Sequence, residues 1–133
     1  MLSGHFFLAV LFITIAISSI QWLFIGFLFH KYQAPTPQTW RKETGRSYAL
    51  STLLSVFFAY MFTFIFFTWK SRNGAMGILD GIEFSLICWL GFSIPLEIGN
   101  AIYVNYSRMF VFGKCISSLV EYTSAGIIAS LLL

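Results

Sequence analysis

Four long apolar runs alternate with short polar breaks along the chain. Residues 6–29 and 47–69 contain no charged side chain at all. Residues 78–104 and 114–133 are also apolar but carry Asp80, Glu83 and Glu97 in the third run and Glu121 in the fourth. A hydrocarbon layer of ~30 Å needs ~20 helical residues, so each run is long enough to cross a membrane. The pattern predicts an all-α integral membrane bundle of four transmembrane helices. Short connections make consecutive helices antiparallel, in up-down order. The whole chain, 1–133, reads as a single transmembrane domain. The first run is expected to be retained rather than removed as a signal peptide, because it has no basic leading segment and its apolar run is too long.

The breaks have their own character. Residues 34–37, Ala-Pro-Thr-Pro, read as a rigid extended piece, and Trp40 beside Arg41 and Lys42 reads as an interfacial anchor. Residues 73–77, Asn-Gly-Ala-Met-Gly, read as a turn. Residues 105–113 read as a second short loop on the same side as the first. A weak two-plus-two repeat is visible. Helices 1 and 3 each end in an aromatic-rich stretch before a basic loop, and helices 2 and 4 follow those loops.

Composition agrees with lipid as the main solvent: 58% of the 133 residues are hydrophobic and only 10% are charged, against about 25% charged in an ordinary soluble domain. The net charge of +3 is concentrated in the breaks, without the basic stripe that nucleic-acid binding requires. Lys31, Arg41, Lys42, Arg46, Arg108 and Lys114 lie on one side, against Lys70 and Arg72 on the other. The excess places loops 30–46 and 105–113 in the cytoplasm and both termini outside, as expected for a bacterial inner membrane. Cys88 and Cys115 stand at different depths, ~24 Å apart along the helices, too far for a disulfide.

The unusual chemistry lies in residues 89–100. A proline, two glycines, a carboxylate and an amide stand there, where a membrane helix ordinarily carries aliphatic side chains. Ser93, Glu97 and Asn100 share one helical face. Lys114, Ser117, Glu121 and Ser124 form a similar stripe on helix 4. Counting from the helix ends puts Glu97, Glu121, Gln21 (with Ser18) and Ser55 (with Ser51) in one layer, with no Lys, Arg or His at that depth. Two carboxylates in a low-dielectric layer are costly when both are ionised. Three arrangements answer this: one or both are protonated, the two share a proton, or a cation with water sits between them. The layer is then either a ligand- or cation-binding site or a set of hydrogen bonds that tie the helices together. Pro95 releases a carbonyl near Gly91. With Gly91 and Gly99 it either opens the helix beside Glu97 or simply kinks it. Asp80 and Glu83 read as interfacial groups within reach of Lys70 or Arg72. Gly77-xxx-Gly81 and Gly126-xxx-Ser130 are small-residue pairs suited to close helix approach. His5 and His30 lie at opposite faces, so no metal pair forms, and no cofactor or catalytic motif is present.

The pattern Trp89-Leu-Gly-Phe-x-x-Pro95-x-x-x-x-Asn100 resembles the third-helix signature of the bacterial membrane family catalogued as domain of unknown function 1761. Trp22, then Phe29-His-Lys31, then Trp40 resembles that family's first-helix signature, and Arg46-Ser-Tyr-Ala-Leu-Ser51 the opening of its second helix. The resemblance implies a four-helix membrane fold and no activity. The chain departs from the family pattern at His30, where glycine is usual, and at Glu97, where a neutral residue is usual; Glu121 is not part of the pattern. Two functions remain open. One is an accessory or interaction subunit of a membrane assembly, or a homo-oligomer. The other is a small transporter or ligand-binding protein that uses Glu97, Glu121, Asn100, Gln21, Ser93 and Ser55.

Overall fold

The computed structural model describes residues 3–74 and 77–133. Four helices long and apolar enough to cross a membrane make up nearly all of it: α1 (Gly4–Leu28), α2 (Gly45–Asn73), α3 (Ile78–Tyr103) and α4 (Arg108–Leu132). The expected turn at residues 73–77 includes Ala75 and Met76, which lie outside the described residues.

The helix ends differ from the sequence expectation in several places. Helix α4 starts at Arg108 rather than Lys114, which reduces the loop before it to residues 104–107. Ser107 is the N-cap: its hydroxyl accepts from the Phe110 N–H at 3.2 Å and donates to the Tyr32 carbonyl at 2.8 Å. Gly113 therefore lies inside the helix. The ring of Phe29 rests on it, and any side chain there would collide with that ring. Helix α2 is longer at both ends, opening at Gly45 behind a Thr44–Ser47 capping box and running on to Asn73. The Pro-Thr-Pro segment is not extended. The chain makes two short 3-10 turns, His30–Gln33 and Pro37–Thr39, and Ala34 between them is helical in conformation. Thr39 donates to the Asn105 carbonyl at 3.1 Å. Trp40 packs edge-on against Phe110, with centroids 4.6 Å apart. The two loops thus lie together at one end of the bundle.

At the opposite end the packing is tight. Ile13 and Ile17 of α1, Ala59, Phe62 and Phe66 of α2, Phe84 of α3, and Ala125 and Ala129 of α4 form the core. Helix α4 is central and packs most closely against α1 and α3. Gly81 of α3 meets Gly126 of α4, so closely that a Cβ on Gly126 would strike the Ser85 hydroxyl and the Gly81 carbonyl. This is the small-residue pairing expected from the sequence. Gly77 takes no part in it; its N–H donates to Asp80 at 2.7 Å, and Asp80 caps its own helix instead of pairing with Lys70 or Arg72. Helix α2 reaches α3 through rings rather than backbone, with Phe62, Phe66 and Trp69 all packed on Phe84 at 4.9–5.5 Å. Such aromatic pairs contribute about 0.5–1.5 kcal/mol each beyond the area they bury. Elsewhere the outer faces of the helices carry exposed Phe, Leu and Ile side chains, which suits an integral membrane protein in contact with lipid.

Toward the loop end the bundle opens. Every residue from position 41 to 54 is exposed, so the first turns of α2 stand away from α1 and α4. The small apolar residues that close the other end are replaced here by Ser, Gln, Glu and Lys.

Candidate functional site

The gap left by α2 is a cavity of about 810 Å³. Each helix contributes polar groups to it: Ser18 and Gln21 from α1, Ser47, Ser51 and Ser55 from α2, Glu97 from α3, and Lys114, Ser117, Ser118 and Glu121 from α4. His30, Glu43 and Tyr48 lie at the loop end, and Trp22 forms part of the α1 wall.

Glu121 is held from two sides. Ser117, one turn earlier on α4, donates to Oε1 at 2.7 Å, and Gln21 of α1 donates to Oε2 at 3.1 Å. The Gln21 contact fixes the two residues at one depth, as the count along the helices anticipates. Both donors are neutral. Glu97 is placed differently: the Lys114 ammonium lies 2.6 Å from Oε2, the one ion pair among the described residues. This corrects the expectation that no cation reaches the layer. Because α4 begins at Arg108, Lys114 is six residues into the helix, ~9 Å from its start. The remaining depth is within the span of its flexible stem. Each carboxylate has its own partners, and only Glu97 has a cationic one.

Six residues proposed from the sequence are distributed unevenly. Glu97, Glu121, Gln21 and Ser55 line the cavity, whereas Ser93 and Asn100 do not. Ser93 is buried within α3 and Asn100 is half-buried, its carbonyl accepting the Val104 N–H at 2.8 Å. Helical spacing puts the three on one stripe, but of them only Glu97 lines the cavity. Sequence reasoning missed Lys114 as a partner and did not bring Trp22, Glu43 or Tyr48 to the site. Glu43 could have been found from the capping box that follows it; it accepts a hydrogen bond from the Tyr48 hydroxyl.

Helix α3 stays continuous through residues 89–100. It widens into a π turn over Trp89–Ser93 and resumes as α-helix at Ile94, just before Pro95. The wider turn accommodates the proline's missing N–H without breaking the helix. Nothing stands within 4 Å of a Cβ built on Gly91 or Gly99, so neither glycine is required by a close approach. Trp89 ties α3 to α4, its indole N–H donating to Ser118 at 2.9 Å. Helix α1 widens in the same way over Trp22–Leu28. Both π turns open on a Trp-Leu pair, a feature shared by the two halves of the chain.

The model for the family described as protein of unknown function (DUF1761) matches residues 8–130. The chain belongs to this family. The match takes in α2 and α3 whole, all but the ends of α1 and α4, and every residue of the cavity named above. No curated protein and no solved structure matches the chain. Within this DUF1761 chain, Cys88 and Cys115 are both free thiols, and no group of His, Cys, Asp and Glu suited to a metal ion occurs among the described residues. What the cavity does offer a ligand is hydroxyls, an amide, carboxylates, one ammonium, one imidazole and aromatic rings.

Proposed function

We propose that this protein binds, and moves or senses, a small positively charged solute in the cavity between α1, α2 and α4. One observation carries this reading: Glu121 faces a roomy polar cavity and is held only by neutral donors, while the one lysine of the cavity is already engaged by Glu97. Three carboxylates, Glu43, Glu97 and Glu121, face one lysine and one histidine there. Arg41, Lys42 and Arg46 are exposed and do not line it. A charge within a bilayer is expensive unless it is paired, so an incoming cation supplies what the resident donors do not. Trp22 and Tyr48 add ring faces of the kind that attract ammonium groups. The excess of basic residues near the cavity's loop end supports a cytoplasmic position for its mouth, with both termini outside.

Titration of ethylammonium into the purified protein in lipid nanodiscs, followed by calorimetry, tests this. Saturable binding that falls at least ~10-fold in Glu121→Gln supports the reading. Binding unchanged by that substitution would reduce the carboxylate to a helix-joining group.

A second reading, a homo-oligomer or an accessory subunit, is favoured by the first turns of α2, where every residue from 45 to 54 is exposed. Two of the hydroxyls there are bonded within the chain: Ser47 donates to the Thr44 carbonyl and Thr52 to the Tyr48 carbonyl. A partner at this face would pack on it with few hydrogen bonds to supply. Mass photometry of nanodisc-embedded protein distinguishes a single copy from an assembly.

A further inference from the structure

We infer that the ligand is an amphiphilic cation, an ammonium head on an apolar tail, that reaches the cavity sideways from the bilayer between α1 and α2. The inference rests on the cation reading above and adds the class of ligand and its route.

The walls of the cavity are not alike. On the α3 and α4 side, Ser117 and Ser118 are buried. On the α1 and α2 side, Ser47, Ser51 and Thr52 are exposed, and Trp22 keeps 68% of its surface exposed. A second, shallower hollow of about 540 Å³ lies on α1, lined by Ser18, Ser19, Trp22 and Leu23. It shares Ser18 and Trp22 with the main cavity, so these two side chains form a sill between the interior and the lipid-facing surface. Beyond the sill the surface is apolar, with Leu23, Leu53 and Leu54 exposed.

A solute that dissolves in water needs only the mouth at the loops, and a closed wall would serve it better, because polar groups facing lipid through a gap are poorly solvated. A side opening with carboxylates inside and leucines outside suits a molecule divided in the same way. Its charged head lies against Glu121, and its tail stays among lipid chains along Leu23 and Leu54. The indole of Trp22 sits at that boundary, and an amphipathic ring of this kind suits a border between hydrocarbon and polar groups.

Octylammonium, ethylammonium and octanoate, each titrated into protein-loaded nanodiscs against protein-free nanodiscs, test the inference. Octylammonium should bind at least ~10-fold more tightly than ethylammonium, equivalent to about 1.4 kcal/mol. Octanoate should give no signal above the blank. Leu23→Ser, in the shallow hollow and outside the main cavity, should reduce the advantage of octylammonium while leaving ethylammonium binding in place, and Glu121→Gln should weaken both amines. Equal affinity for the two amines overturns the sideways route and leaves the cation reading standing. Octanoate binding as tightly as octylammonium overturns both, since the tail alone would then decide. So does the absence of any signal above the blank.

Discussion

Lys114 and Glu97 show how a single side chain changes the electrostatics of a buried layer. Their side chains retain 25% and 16% exposure respectively, so solvent at the cavity softens both the attraction and the cost of desolvation. Lys114→Met leaves Glu97 with no cation, and we expect it to cost about 1–3 kcal/mol, the scale of an unsatisfied partly buried group. Adding Glu97→Gln should restore most of that loss, because a neutral amide needs no counter-ion. Thermal unfolding in detergent, followed by tryptophan fluorescence, measures both; a double variant as unstable as the single one would mean that the pair is not coupled. Gln21 and Glu121 differ in kind. Their bond joins α1 to α4, and interhelical hydrogen bonds in membranes are worth about 0.6 kcal/mol on average, so a modest stability effect there is compatible with a large effect on binding.

Among the helices, α4 has the deciding role. It is the central helix, and only Arg108, Met109, Phe112 and Leu131 along it are exposed. Its small residues admit α3: Gly126 sits against Gly81 with no room for a Cβ. Gly126→Ala should force the two helices apart at a cost of about 1–3 kcal/mol. Gly91→Ala, where a Cβ meets nothing, should change stability by no more than about 1 kcal/mol and in the favourable direction. Melting temperatures of the two variants side by side check this; equal losses would contradict the close crossing. The start of α4 departs from the sequence pattern for a reason at this scale. Gly113-Lys114 looks like a helix boundary because glycine usually ends helices. Here the glycine makes room for the Phe29 ring, and the boundary is set by the Ser107 cap six residues earlier. The same six residues carry Lys114 down to Glu97. The π turns in α1 and α3 were not legible either, since the runs that hold them are apolar on nearly every side and give no phase against which a wider turn would show.

For the whole molecule, the arrangement is a bundle closed at one end by Ala, Gly and Phe and open at the other around polar side chains. The bonds from Thr39 to Asn105 and from Ser107 to Tyr32 put the loops before α2 and before α4 together at the open end. With six basic residues near that end against Lys70 and Arg72 at the other, it should face the cytoplasm. In a background lacking Cys88 and Cys115, Gln38→Cys should react with a membrane-impermeant maleimide only in inside-out vesicles, and Asn73→Cys only in intact cells. The opposite labelling would invert the topology and place the cavity mouth outside.

By itself the sequence determined the number of helices, their membrane-spanning character, the family and the polar layer, because length, hydropathy and residue spacing are properties of the chain taken one helix at a time. It also located Glu97, Glu121, Gln21 and Ser55 at a common depth. Only the tertiary structure decided which of these groups face one another and which cation serves which acid. It alone set the first turns of α2 apart from their neighbours to leave a cavity. Those outcomes depend on which helices pack together and on where Ser107 caps α4. Each is settled by contacts between helices, which no pattern along a single helix encodes.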